Sequence, residues 1–354
     1  MVMAHERRFV HLGHRRPALA SHGHNTCAIF APGPKRTLQS AWFFGQPATA
    51  YFSDSFMTLY FSIVIPTYRR PADLSALLAL LAPQIAARGH DCEVIVVDNC
   101  PDASSRAAAQ AAPMPVNYRP EPRTGVAHAR NTGIAHARGS HVIFIDDDQR
   151  PVPDWLASFA ALAEAGHAAA FGPVRPEFET PPPPHLRAAL VPLFTREMGV
   201  ATGTDISDRR AYLGTGNSMF AQARCFARIE PFDPRFNRGG EDVWFLRGLV
   251  QEAGARLIWC EEAAVAETVP AARMTAAYVR ARRFRNGQLR CIVEAGGGNR
   301  AAALFWMAAG GVQTLGYGLA AMAVLPFDRR AFDGLSARAA GGLGKLLWWW
   351  PGRG

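Results

Sequence analysis

Residues 141–148 read H-V-I-F-I-D-D-D, and the rest of the chain is organised around them. Val142, Ile143, Phe144 and Ile145 form an unbroken β-branched and aromatic run, the composition of a strand covered on both faces. The run ends in Asp146, Asp147 and Asp148. Three carboxylates at the tip of a buried strand repel one another unless a cation or several donors sit among them. Hard divalent ions such as Mg2+ and Mn2+ take oxygen ligands and often bridge protein carboxylates to substrate phosphates. The blander alternative is an acidic loop capping the next helix, since Pro151 and Asp154 stand just ahead of Trp155.

The same grammar recurs upstream. Phe61–Ile65 (F-S-I-V-I) runs into Pro66, Thr67 and Tyr68, and Glu93–Val97 (E-V-I-V-V) runs into Asp98 and Asn99. Val116–Tyr118 reads as a short third strand. Pro71 suits a first helical turn, and Leu74, Leu77, Leu78 and Leu81 follow at helical spacing. A second helix is expected over Asp102–Ala112. Arg123-Thr124-Gly125 leads into another through Arg138, closed by Gly139. Strands alternating with helices predict an α/β, Rossmann-like, mostly parallel central sheet with helices on both faces. Ligands bind such sheets at the carboxyl ends of the strands. Three strands here end in polar residues that can hold a ligand. Neither a G-x-G-x-x-G fingerprint nor a phosphate-cradling Walker loop is present, which removes the usual dinucleotide and triphosphate readings.

Downstream, a helix runs from Trp155 to Gly166, and Ala168–Val174 reads as one strand. Pro176–His185 (P-E-F-E-T-P-P-P-P-H) reads as an exposed, flexible proline-rich loop. Gly214–Phe220 combines a glycine turn with a strand. Gly239-Gly240-Glu241-Asp242 opens a helix over Val243–Glu252, where acids are also favoured by the helix dipole alone. Arg256–Cys260 is another strand, and Arg273–Glu294 is a basic helix. Ala301–Phe327 carries no charge across 27 positions. That length can cross a bilayer, but Gly310, Gly311, Gln313, Gly316 and Gly318 dilute it. A buried hairpin and a helix lying in the membrane plane stay open as alternatives. Lys345 and Trp348–Trp350 suit an interfacial anchor or packing on the domain.

The 354 residues carry a formal charge of +9, unevenly spread. Residues 268–354 hold twelve basic and three acidic side chains, whereas residues 59–267 are net acidic. A basic tail beside apolar sequence points to an anionic membrane surface and not to nucleic acid. Six cysteines without a C-x-x-C pair suit a reducing compartment. Residues 1–57 show no period and no signal-type apolar core, so they are expected to be a disordered or non-native extension ahead of Met57. The expected organisation is a catalytic domain over 58–270, with a nucleotide half at 58–150 and an acceptor half at 151–270. A basic, apolar, membrane-associating region covers 271–354.

Phe61–Arg70 (F-S-I-V-I-P-T-Y-R-R), Glu93–Asp102 (E-V-I-V-V-D-N-C-P-D), Arg123–Asp148 (R-T-G-V-A-H-A-R-N … F-I-D-D-D) and Gly240-Glu241-Asp242 resemble the family 2 glycosyltransferases of GT-A fold. Within the family the chain looks like bacterial enzymes of exopolysaccharide or lipid-linked glycan assembly. The resemblance covers about residues 59–290 and implies an inverting transfer from a nucleotide-diphosphate sugar, with a UDP-sugar the expected donor, assisted by Mg2+ or Mn2+. It implies that Pro66, Thr67 and Tyr68 line the base pocket, that Asp98 accepts a hydrogen bond from the base, and that Asp146 and Asp147 sit near the donor. Asp148 would hold the metal, and Asp242 would be the catalytic base. Arg123, Asn217, Glu241, Glu267, Arg283 and Arg285 are candidates for the diphosphate or acceptor. For the arginines of the basic helix a solvated or membrane-facing side is the competing reading.

The chemistry requires the same parts. An acceptor hydroxyl needs a carboxylate to take its proton, and a departing diphosphate needs positive charge. Two departures from the family pattern stand out. Val265-Ala266-Glu267 lacks the histidine of many relatives, so either Glu267 substitutes for it or the position is unused. The Q-x-x-R-W segment of processive synthases is absent, which favours adding one sugar to a glycan or lipid-linked acceptor at the inner face of the cytoplasmic membrane. A non-catalytic nucleotide-sugar binder in a glycan assembly complex is the alternative from another class. A nucleotidyltransferase lacks its glycine-rich loop here.

Overall fold

The computed structural model describes residues 61–350 apart from 90, 237 and 238, so the expectation for residues 1–57 lies outside the described residues. The chain opens with β1 (Phe61–Thr67), α1 (Pro71–Arg88), β2 (Cys92–Asp98), α2 (Arg106–Gln110), β3 (Val116–Pro120), α3 (Val126–His136) and β4 (His141–Phe144). Then come β5 (Gln149–Pro151), α4 (Trp155–Glu164), β6 (Ala169–Phe171), β7 (Val174–Phe178), α5 (Arg187–Leu190), β8 (Ser218–Ala221), α6 (Gln222–Cys225), α7 (Glu241–Gln251), β9 (Leu257–Trp259) and β10 (Val265–Val269). Three helices follow: α8 (Ala276–Gly296), α9 (Arg300–Val324) and α10 (Arg329–Leu346).

Seven strands form the main sheet in the order β3-β2-β1-β4-β8-β6-β9. β1 to β4 are mutually parallel, and β8 runs antiparallel to both its neighbours. Alternate residues of the central strands feed two cores, because side chains on a strand point to opposite faces. Ile63, Ile65, Val94, Val96 and Ile143 pack with Leu74 to Leu81 of α1 and with Trp155 and Phe159 of α4. Val64, Ile95, Val97, Val142 and Phe144 pack with Ala127 and Ile134 of α3 and with Phe245 and Leu246 of α7. This is the doubly covered α/β sheet that the sequence predicts.

The single strand expected over Ala168–Val174 is broken in two. A side chain at Gly172 would lie 2.0 Å from the Ala263 carbonyl, so the backbone passes too closely for anything but glycine, and Pro173 follows. The chain therefore leaves the main sheet after β6 and enters a small second sheet, β5-β10-β7. The proline-rich segment consequently begins as a strand, not as a loop. Pro176 is tolerated because β7 is an edge strand, where a missing N–H costs no ladder bond on the outer side. This small sheet stacks Glu267 opposite Gln149, and the Thr268 N–H donates to the Asp148 carbonyl at 3.2 Å. It thereby brings β10 to the acidic strand tip.

The three C-terminal helices each begin with a side-chain cap. Thr275, Asn299 and Asp328 accept from the backbone N–H three residues ahead. These capping bonds satisfy donors the helix cannot pair itself.

Candidate active site

The parallel register places Thr67 beside Asp98 at the carboxyl ends of β1 and β2. The chain then folds the triple aspartate back onto them. Thr67 Oγ1 donates to Asp147 Oδ2 at 2.8 Å. Arg70 Nη1 lies 3.0 Å from Asp147 Oδ1 and 2.5 Å from Asp148 Oδ2. Burial works against the Arg70 charge, but Asp148 and Asp147 outweigh it and raise its pKa. Asp147 is pushed up to about 6, chiefly by burial, against the pull of Arg70 and Thr67. The capping alternative does not hold: Asp154, the residue before α4, makes no side-chain cap bond.

Asp146 points the other way, into the site. A Cβ at Gly216 would lie 2.2 Å from its Oδ2, and a Cβ at Gly214 would lie 3.3 Å from Asp242 Oδ2. The loop 214–217 is thus pressed between the strand-tip carboxylates and the first turn of α7. Gly240 enters that turn at φ +97°, which glycine adopts without strain. Asp242 Oδ1 accepts the Val243 N–H at 2.7 Å.

A buried arginine ties these groups together. Arg130 donates to Glu241 Oε1 at 2.8 Å and lies 3.8 Å from Asp146 Oδ1. Burial opposes its charge, but Glu241, Asp146 and Asp242 overcome that and raise its pKa. Burial, helped by Asp148 and Asp242, raises the Asp146 pKa, with Arg130 opposing. Burial and then Asp242 raise that of Glu241. Arg130 Nε, Glu241 Oε2 and Thr215 Oγ1 have no partner among the described residues. A second buried arginine, Arg196, donates to the carbonyls of Gly172 at 2.9 Å, Gly214 at 2.6 Å and Asn217 at 2.7 Å. Burial depresses its pKa to about 10 against the attraction of Asp146, Glu267 and Asp242. It fixes the loop that separates the two acidic groups.

Glu267 belongs to the same cluster. Its carboxyl is pushed up to about 7 by burial, then by Asp148 and Asp146, with Arg273 and Arg282 pulling the other way. Arg285 approaches Gly239, where an added Cβ would lie 3.4 Å from its Nη2. One turn of α8 therefore faces the acidic centre.

Other expected residues are placed elsewhere. The Asn217 amide is fully buried and committed to the protein: it accepts from Trp155 Nε1 at 2.7 Å and donates to Pro173 and Ala263. It braces the loop and does not face a ligand. Arg123 is drawn to Glu121 at 2.8 Å and Glu230 at 3.5 Å, away from the aspartates. Arg283 is half-buried and faces Arg338 of α10, and burial together with that neighbour lowers its pKa. Asp98 is buried, and its carboxylate accepts from Cys100 N, Ser105 N and Tyr118 Oη. It shapes the loop after β2 and keeps little acceptor capacity for a base. Pro66 is buried within β1, whereas Tyr68 is 46 % exposed at the rim.

Arg70, Arg130 and Arg196 had no assigned role in the sequence reading. Arg130 alone leaves a trace there. It sits with Asn131 on the stripe of Ala127 and Ile134 that α3 turns to the core. A charge on an apolar stripe signals a buried partner. A cleft of about 890 Å³ at the amino ends of β2 and β3, between Cys92, Pro115 and Arg138, contains none of these aspartates.

Comparisons with known proteins identify the family and the fold. A profile described as Glycosyl transferase family 2 matches residues 62–219, and one described as Glycosyl transferase family group 2 matches residues 141–349. The chain is 31 % identical over 237 residues to the succinoglycan biosynthesis protein ExoM of Rhizobium meliloti (strain 1021), covering 65 % of this chain and 74 % of ExoM. Among solved structures, the mannosyltransferase PcManGT from Pyrobaculum calidifontis, in complex with GDP-Man and Mn2+, superposes with a TM-score of 0.51 at 19 % identity, over 82 % of this chain and 87 % of that one. Residues 1–349 of S. aureus TarS in complex with UDP give a TM-score of 0.49 at 18 % identity, over 80 % and 90 %. The profile over residues 141–349 and the coverage of ExoM place this chain in the family 2 glycosyltransferases, and it carries their GT-A fold.

Proposed function

We propose that this glycosyltransferase moves a single sugar, with inversion, from a nucleotide-diphosphate sugar to a hydroxyl of a glycan or lipid-linked acceptor, working at the inner surface of the cytoplasmic membrane. One observation carries the reading. The strand-tip aspartates and Asp242 flank a single braced loop, so a donor on one side and an acceptor on the other would meet across it.

Asp242 is the base in this reading. It stands in the first turn of α7, and its Oδ2 faces the loop. It would take the acceptor proton as oxygen attacks the anomeric carbon from the face opposite the diphosphate. Arg130 and Glu241 hold that turn against the sheet. Thr67 and the loop organised by Asp98 would receive the base and ribose.

The residues present fit a divalent metal of the phosphate-bridging kind. Among the described residues no three His, Cys, Asp or Glu side chains form a closed metal cage. Asp148, 15 % exposed, stands beside other acids whose repulsion a cation would relieve. Mg2+ and Mn2+ bound through one or two carboxylates plus phosphates need no more. Such an ion would offset the charge that develops on the departing diphosphate. Arg70 now neutralises Asp148 and would have to share or yield it. The Mn2+ and GDP-Man of the PcManGT complex, and the succinoglycan pathway named for ExoM, support the donor, metal and acceptor classes chosen here.

Thermal-shift measurements with UDP- and GDP-sugars, with and without Mn2+, test the reading. Donor plus Mn2+ is expected to raise the melting temperature, since a ligand of the native state stabilises it. Asp148→Ala is expected to lose most of that rise. A rise unchanged in Asp148→Ala, or no rise with any nucleotide sugar, would contradict the assignment.

A further inference from the structure

In a helix on the surface of a water-soluble domain, polar side chains face out and apolar ones face the core. α9 is built the other way round. Every exposed position from 301 to 323 is apolar or glycine. Leu304, Phe305, Val312, Leu315, Leu319 and Met322 are each 64–77 % exposed. Past Arg300 at its start, the polar side chains of the helix are partly buried, and Thr314 Oγ1 lies 3.5 Å from the Ala339 carbonyl of α10. Gln313 Oε1 accepts from Lys345 Nζ of α10 at 2.7 Å. Thr314 Oγ1 donates to the Gly310 carbonyl at 2.8 Å, and the Arg338 guanidinium lies 5.6 Å from the centre of the Tyr317 ring.

The inner contacts are backbone-close. An added Cβ would lie 2.7 Å from the Gly310 carbonyl at Gly342, 2.1 Å from the Gly341 carbonyl at Gly287, and 2.0 Å from the Phe284 carbonyl at Gly344. Small residues at helix contacts with apolar groups outside are how helices pack when lipid is the solvent.

Resting on the membrane-surface reading above, we infer that α9 lies in the plane of an anionic bilayer, its outer stripe among the acyl chains, and does not cross it. Crossing would take α10 along, because α9 is packed against it. α10 carries Arg329, Arg330, Asp333, Arg338 and Lys345, and Arg338 is exposed. Each such charge near the bilayer centre is strongly unfavourable even on the mildest scale. Lying flat, the helix dips only its apolar side, to a depth of about 5–10 Å.

Charge selects the occupant. With twelve basic and three acidic side chains in residues 268–354, a second copy would bring like charge onto like charge. Acidic headgroups would neutralise it. Trp348 Nε1 reaches Met307 Sδ at 3.3 Å, so Trp349 and Trp350, 58 % and 60 % exposed, sit beside the first turns of α9. Tryptophan favours the headgroup level.

The test is flotation of the full chain with vesicles of phosphatidylglycerol and phosphatidylcholine, or of phosphatidylcholine alone. The chain should float with the anionic vesicles, and at least tenfold less with the neutral ones or after Leu315→Glu with Leu319→Glu. A protease-sensitive tag inserted between Pro326 and Phe327, in the turn between α9 and α10, should stay fully open to protease added outside the vesicles. Undiminished flotation of the double variant would overturn the proposal. A tag protected until detergent is added would show a crossing helix. Dimerisation in buffer that the double variant abolishes, without flotation, would make a second copy the occupant. The donor-induced thermal shift reports separately on the active site: it should persist in the double variant, and its absence in the parent chain would sink the donor reading and leave the flotation result standing.

Discussion

The sheet and the C-terminal helices place their charges in opposite ways. In the sheet, apolar side chains fill both faces and acids gather at the strand tips, where Arg70 and Arg130 hold them and Arg196 braces the adjoining loop. In α9, Gln313, Thr314 and Tyr317 are turned toward α10, glycines line the contacts among α8–α10, and the apolar side of α9 is left outside. One chain is thus built for two surroundings. The sheet gathers unfavourable charge where a charged ligand can relieve it. The helices leave apolar area where an apolar surface can cover it. The two regions should therefore fail separately when perturbed.

The largest separation is expected from Arg196→Met. It removes a buried charge and takes a donor from three carbonyls, of which that of Asn217 keeps the Gly172 N–H, at a cost of about 3–5 kcal/mol in urea unfolding, with flotation on vesicles unchanged for the folded fraction. An unfolding midpoint like that of the parent chain would show that Arg196 does not hold the loop. Gly344→Leu is the reverse experiment. Its side chain meets the Phe284 carbonyl, so it should loosen α10 from α8 at roughly 1–3 kcal/mol. Flotation should fall while the donor-induced thermal shift persists, and loss of both together would merge the two regions into one.

Glu267→Gln gives an effect confined to neutral and alkaline pH, and the finest reading of the acidic cluster. The Glu267 carboxyl is raised to about 7 in the fold, so the folded state holds its proton more tightly than the unfolded chain does. Stability then falls as pH rises from the usual carboxylate range through about 7. Removing the charge should stabilise the metal-free protein by about 1–3 kcal/mol above pH 7, and by almost nothing near pH 4. A difference independent of pH would place Glu267 outside the cluster.

Much of the fold is legible in the sequence because buried parallel strands are continuous apolar runs, and their ends are marked by the first polar residues. That is why Thr67, Asp98 and Asp146–Asp148 could be brought together before any coordinates. The arginines could not be placed, because their partners are distant in sequence: Arg70 is 77 and 78 residues from its aspartates, and Arg130 is 111 from Glu241. The break after β6 is a tertiary matter, a carbonyl of the 263 loop pressing on Gly172. α10 escaped the sequence reading because R-A-A-G-G-L-G-K-L shows no apolar stripe. Its helix is held by close backbone packing against α8 and α9, where glycine is required and not merely tolerated.

The most direct test of the account is Asp242→Asn, assayed for donor binding and for sugar transfer in the same preparation. If Asp242 deprotonates the acceptor, donor and Mn2+ should bind as in the parent chain, while transfer falls by about 100-fold or more. Transfer at the parental rate with donor binding intact would put the base elsewhere and contradict the account.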